Sequence, residues 1–381
     1  MKNAYKRMDT PMTILLPKSL RRCLGLFLVG LLTSLMVVAQ PVAAQTSFCE
    51  NRSVPSDMAQ GSSYGDPHII TLDGLHYAFQ MLGEFLLIDS DDHKFEVQAR
   101  QAQVPNRENL SLNTAVAMRV CEHRVGMYVQ DSPDGRSLMW VDGVPIDFVD
   151  DGFPLPNGGE IQRHNDRNYT VIWPSGDQVA LKIITVSGTQ FINIMPLVSR
   201  AHRNQVVGLL GNFNGNPDDD LVGRNGTVLQ AQSTYSVATN ALDRVLPAVI
   251  PVSELQTAYF EQLYRQFGDS WRITQTESLF DYPLGLTTAN FSDRSFPAQY
   301  VNINNASEQD LEAAVATCEA AEVPPEQMDG CVFDVLSTGD NSFVNAAANA
   351  VANVVAERLT DRVLDEVEKV IPVPGNIRFP F

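Results

Sequence analysis

Gly208-Leu209-Leu210-Gly211-Asn212-Phe213-Asn214-Gly215-Asn216-Pro217-Asp218-Asp219-Asp220-Leu221 is the stretch on which the reading of this chain turns. Six of the nine residues from Asn212 to Asp220 carry a side-chain oxygen. Glycine admits positive φ and proline fixes its own φ, so Gly211, Gly215 and Pro217 let the chain curl tightly. A loop curled this way gathers amide and carboxylate oxygens around one centre, the hard-oxygen environment that Ca²⁺ takes with six to eight ligands. It is not an EF-hand. Counted from Asn212, the sixth position is Pro217 where glycine is required, and the twelfth is Gly223 where a bidentate Glu is required. Taken alone, the cluster reads equally well as a solvated acidic turn.

A second stretch lies far upstream: Gly65-Asp66-Pro67-His68-Ile69-Ile70-Thr71-Leu72-Asp73-Gly74, followed by Gly83-Glu84-Phe85. With the Gly-Leu-Leu-Gly-Asn-Phe-Asn-Gly loop, in this order, it resembles the von Willebrand factor type D domain over roughly residues 60 to 230. The resemblance implies a Ca²⁺ held by the side chains of Asp73, Asn212, Asn214, Asp219 and Asp220 and by the main-chain carbonyl of Asn216. Asp218 is expected to face solvent. Two departures from the family stand out. Leu72 replaces the usual Phe, a packing change that spares Asp73. Leu210 replaces the cysteine of the family's Gly-Leu-Cys-Gly-Asn loop, so packing and metal must hold the loop without that disulfide.

Gly65-Asp66-Pro67-His68 also resembles the self-cleavage point of some gel-forming mucins, between Asp66 and Pro67. Asp-Pro bonds are acid-labile, and His68 has a pKa in the range for proton transfer. The competing reading is a structural turn in which Asp66 caps the start of a strand.

Six basic residues precede an apolar run from Cys23 to Ala39 and then Val42-Ala43-Ala44, the order of a secretory signal cleaved after Ala44. Removing residues 1–44 takes the 27 basic and 45 acidic residues to 21 and 44, a net charge near −23. That surface argues against nucleic acid and anionic lipid, and no membrane insertion is expected after cleavage. Cys49, Cys121, Cys318 and Cys331 then remain, an even number for an oxidising compartment. Three pairings exist. The thirteen-residue spacing favours Cys318–Cys331, which leaves Cys49–Cys121.

In chain order, residues 45–63 read as a polar linker. From Ile69, short apolar runs with turn residues every eight to twelve positions predict a mainly β domain over 64–235, an antiparallel sandwich or open barrel. Asp134-Gly135 and Asp142-Gly143 are hairpin-type turns. A four-residue apolar stripe from Ser253 to Phe267 and helical patterns over 308–322, 324–337 and 340–364 predict a smaller, mainly helical, disulfide-bridged domain over 236–345. A helical tail and loose end occupy 346–381. Trp271 and Phe280-Asp281-Tyr282 resemble a segment that trails D domains and anchors a second module.

Signals for conventional catalysis are weak. The six histidines show no His-x-x-x-His pair, Gly-x-Ser-x-Gly is absent, and no Lys-Ser/Thr follows Gly211 to Gly215. The expectation is a secreted, extracellular or periplasmic Ca²⁺-stabilised module, not an enzyme. Its partner would be a protein, a matrix or surface component, or a second copy of itself.

Overall fold

Short runs rich in Val, Ile, Phe and Tyr form strands because branched and aromatic side chains pack well on a pleated surface. A computed structural model of the chain describes residues 47–50, 57–105, 107–148, 151–186, 188–229, 259–298, 306–338, 343–344 and 346–348. Among them the strands are β1 (Met58–Gln60), β2 (Ser62–Tyr64), β3 (His68–Ile70), β4 (His76–Ala78), β5 (Gly83–Ser90), β6 (Phe95–Gln103), β7 (Ser111–Val120) and β8 (His123–Tyr128). They continue as β9 (Met139–Val141), β10 (Val144–Pro145), β11 (Gly152–Pro154), β12 (Glu160–Arg163), β13 (Asn168–Ile172), β14 (Gln178–Val186), β15 (Thr189–Ser199) and β16 (Val206–Val207).

All the pairings between strands are antiparallel. One sheet runs β11-β12-β13-β14-β15-β2-β3-β4, with β1 also on β15, and the other runs β10-β9-β8-β7-β6-β5-β16. A single apolar core draws on both, from Ile69, Ile161, Val171, Leu181 and Ile194 on the first to Phe85, Val97, Val116 and Val125 on the second. Of the two architectures expected, the sandwich is the one formed; the sheets do not close into a barrel. Asp142-Gly143 forms the two-residue β9–β10 loop with φ of +50° and +80°, the conformation that matches strand twist.

The linker expected at 45–63 does not hold over its described part. Phe48 is in the core, and β1 and β2 lie in the first sheet. Ser63 is buried with partners there: Asn113 Nδ2 donates to Ser63 Oγ at 2.9 Å and to the Ser63 carbonyl at 3.2 Å. A polar strand satisfied in this way looks like a linker in composition alone.

The segment 259–298 also departs from expectation, because it belongs to the β core and not to a separate helical domain. Tyr259, Leu263 and Phe267 of the stripe are buried there, on a helix that widens into a π-helical stretch at Gln262–Gly268. Residues 271–273 run along β5, with Leu86 N–H donating to the Trp271 carbonyl at 2.9 Å and Ile273 N–H to the Glu84 carbonyl at 2.8 Å. Trp271 Nε1 donates to the Val222 carbonyl at 3.1 Å. Phe280 and Tyr282 pack on the outer face of β7–β9, and Tyr282 reaches Glu84 of β5, a strand buried along its whole length.

A helical hairpin follows the short α1 (Thr288–Phe291), built from α2 (Glu308–Ala320) and α3 (Pro325–Thr338). Ser307 caps α2, its side chain accepting from Asp310 N–H at 3.1 Å. Leu311, Ala314, Val323 and Val332 pack with Tyr64 of β2, so the hairpin lies against the first sheet. Both expected disulfides are present, Cys49–Cys121 and Cys318–Cys331, with Cα atoms 5.7 and 6.1 Å apart. The expected signal (1–44), the boundary near 235, and all but a few residues of the helix at 340–364 and of the tail lie outside the described residues.

A candidate metal centre where two sheet edges meet

Two loops meet at the edges of the two sheets. Thr71–Leu75 joins β3 to β4 at the edge of the first sheet, and 208–221 follows β16 at the edge of the second. Backbone hydrogen bonds fix both. Leu72 N–H donates to the Leu210 carbonyl at 3.0 Å, and Leu209 and Leu210 N–H donate to the Leu86 and Leu87 carbonyls at 3.1 and 2.9 Å. Tyr77 Oη donates to the Leu209 carbonyl at 2.6 Å. Leu209, Leu210 and Phe213 are fully buried. Leu210 therefore anchors, by packing, the loop that a cysteine would otherwise tie.

Asp220 is the buried carboxylate of the site. Its Oδ2 accepts from Thr71 Oγ1 at 2.5 Å and its Oδ1 from Asn212 N–H at 3.2 Å. Gly211 makes room for it, since a Cβ there would stand 2.2 Å from Asp220 Oδ1. Burial pushes the Asp220 carboxyl up to about 7, with Asp73 and Asp219 adding to the rise and the Thr71 and Asn212 hydrogen bonds opposing it. Asp219 accepts from the Asn212 and Asn214 side-chain amides at 3.1 and 2.9 Å, which hold it below the usual carboxylate range.

The asparagines form a ladder. Asn212 Oδ1 accepts from Asn214 N–H at 3.1 Å, Asn214 Oδ1 from Asn216 N–H at 2.7 Å, and Asn216 Oδ1 from Asp218 N–H at 3.3 Å. Each turn folds the next oxygen back toward the loop's own centre. Asp218 is exposed. Asp73 Oδ2 is buried and accepts no hydrogen bond. Three carboxylates with no basic partner among the described residues, one of them an orphaned acceptor, form a donor set that a hard divalent cation fits. Asp73, Asn212, Asn214, Asn216, Asp219 and Asp220 thus lie in two loops joined by backbone hydrogen bonds. Thr71, which supports Asp220, was not singled out from sequence, where a Thr before an Asp-Gly turn carries no distinct signal.

Residues 61–227 match the family model for the von Willebrand factor type D domain. This segment of the chain is a von Willebrand factor type D domain. The chain is 29% identical to mucin-4 of Homo sapiens over 60% of its length, which is 5% of that protein. It is 22% identical to protein mesh of Bombyx mori over 67% of the chain and 16% of that protein. Sushi domain-containing protein 2 of Homo sapiens is 24% identical over 74% of the chain and 31% of its own length. The chain thus spans less than a third of each of these relatives. Two disulfides place the D domain in an oxidising, extracytoplasmic environment. Among the described residues no helix is long and apolar enough to cross a membrane.

The Gly65–His68 motif lies elsewhere in the D domain, between β2 and β3. His68 Nε2 stands 2.6 Å from both Asp66 Oδ1 and Asp334 Oδ1, and all three residues are buried. The sequence reading named Asp66, Pro67 and His68 but not Asp334, which lies 266 residues from His68. No local pattern could have found it.

Proposed function

We propose that this protein is an exported, Ca²⁺-stabilised D-domain module that acts by binding, in adhesion or self-assembly, and not by catalysis. The observation that carries the calcium reading is the buried, unpartnered Asp73 Oδ2 beside the Asn212–Asp220 loop. An ion shared by both loops would join the free edges of the two sheets and relieve the mutual repulsion of Asp73, Asp219 and Asp220. Adhesion or assembly is supported by similarity to a mucin and by an acidic surface suited to media rich in divalent cations. The partner is a protein, a matrix or surface component, or a second copy of the chain.

Thermal unfolding with excess Ca²⁺ and with chelator tests the ion. At one hundred times the dissociation constant, binding stabilises by about 2.7 kcal/mol, a rise of several degrees in Tm. The rise is expected in the wild type and lost in Asp220→Asn and Asp73→Ala. No shift, together with no calcium by elemental analysis of the purified chain, overturns the reading. Sedimentation with and without Ca²⁺ then tests self-assembly.

The 2.6 Å contact between Asp66 and His68 supports a second reading, self-cleavage at Asp66–Pro67. Attack of the Asp66 carboxylate on its own carbonyl carbon forms a cyclic anhydride as the bond to Pro67 nitrogen breaks. That nitrogen takes a proton, and water opens the anhydride to leave a C-terminal Asp66. Cys49 precedes the bond and is tied to Cys121, so two fragments would separate only after reduction. Intact mass under reducing conditions after mild acid exposure decides it: a single full-length mass eliminates the reading.

A further inference from the structure

The contact between the D domain and the helical hairpin is centred on buried charge. Asp66 precedes β3, His68 begins it, and Asp334 reaches them from α3. Both carboxylates and the imidazole are under 2% exposed. Asp66 Oδ2 and Asp334 Oδ2 are buried without a hydrogen-bond donor. Asp329 on α3 is half-buried, and its carboxyl is pushed up to about 6 by burial, with His68 pulling the other way. Tyr64 packs beside His68 with ring centroids 5.3 Å apart. Among the described residues no Lys or Arg pairs with Asp66, Asp329 or Asp334, so one imidazole faces several carboxylates. Burying like charges without a counter-charge is costly, and the usual remedies are a cation or an extra proton.

Two features separate this cluster from a casual acidic patch. Its three donor atoms come from two parts of the chain that are remote in sequence, yet lie within 4.8 Å of one another. The approach is also built into the backbone. A Cβ at Gly330 would stand 2.6 Å from Tyr64 Oη and 3.1 Å from the His68 ring, so only glycine lets α3 come this close.

We propose that Asp66, His68 and Asp334 bind a divalent transition-metal cation of the Zn²⁺ class, which staples the hairpin to the D domain. One imidazole nitrogen with two carboxylate oxygens is a borderline donor set, unlike the all-oxygen loop at 212–220, and suits Zn²⁺ better than Ca²⁺. Neutral His68 with two carboxylates carries two negative charges, which a divalent ion balances. Ligands about 2.1 Å from a tetrahedral ion stand roughly 3.4 Å apart, so an opening of roughly 1 Å or less admits it. Tyr64 and Phe333, edge-on to His68 at 5.6 Å between centroids, close the site from water. The ion therefore enters during folding.

The test is refolding of the full chain with one equivalent of Zn²⁺, desalting against a weak chelator, and elemental analysis of the retained metal. One Zn²⁺ per chain is expected in the wild type, with retention weakened at least about tenfold in Asp334→Asn and His68→Gln. Asp219→Asn, in the acidic loop, should retain zinc as the wild type does. Refolding with Co²⁺ gives an independent readout, a visible absorption band present in the wild type and absent in Asp334→Asn. A wild type that retains no zinc overturns the proposal and leaves a proton-sharing triad. Equal retention by Asp334→Asn also overturns it, since the metal then sits elsewhere.

Discussion

A methyl group at position 211 would lie 2.2 Å from Asp220 Oδ1, and the backbone there already adopts φ +87°. Gly211→Ala should therefore cost more than backbone strain, about 2 kcal/mol or more, and abolish the response of Tm to Ca²⁺. Gly226, at φ +77° with open space around it, is the control: Gly226→Ala should cost about 1 kcal/mol and leave the Ca²⁺ response intact. Urea denaturation of both variants makes the comparison. Asp89 shows a second single-residue effect. Burial and the Glu96 charge push its carboxyl up to about 6, against the pull of His93, whose Nδ1 lies 2.6 Å away. The folded chain thus keeps a proton that the unfolded chain has lost above about pH 4, so this residue's contribution to stability falls as pH rises from 4 to 6. Asp89→Asn should lack that decline, seen as a steeper gain in stability with pH than the wild type over the same window.

At the scale of elements, the pair Glu84–Arg100 holds β5, β6 and the trailing segment together. The two residues are cross-strand neighbours, both fully buried, with Arg100 Nη2 2.8 Å from Glu84 Oε1. Tyr282 Oη donates to Glu84 Oε2 at 2.6 Å, and the guanidinium lies over the rings of Phe291 and Phe280 at 3.7 and 4.6 Å. Removing one partner strands the other's charge in the core. Arg100→Ala should cost about 3–5 kcal/mol by urea denaturation, and Arg100→Met with Glu84→Gln much less. Neither Glu84 nor Arg100 was singled out from sequence as a buried charge. Their burial follows from 279–291 crossing the sheet, which no strand period announces.

For the whole molecule, Cys49–Cys121 closes a loop spanning 72 residues and ties the start of the described chain to the end of β7. Replacing both by serine should lower unfolding stability by about 4 kcal/mol in the chain-entropy picture, read from urea midpoints. The Cys318–Cys331 loop spans only 13 residues and should contribute about 3 kcal/mol.

The mainly β class, the two helices of the hairpin and both disulfides were legible because each depends on residues close in sequence or on a forced choice among few cysteines. The acidic loop and the Asp73 turn were legible for a similar reason: turn chemistry is local, and the two motifs carry their spacing with them. Tertiary structure alone decided the rest. It buried the polar strand β2 with Asn113 as partner to Ser63, drew 259–298 into the β core, and set Asp334 against His68 across 266 residues. Those outcomes depend on which surfaces exclude water together, and side-chain period within an element does not encode what covers its outer face.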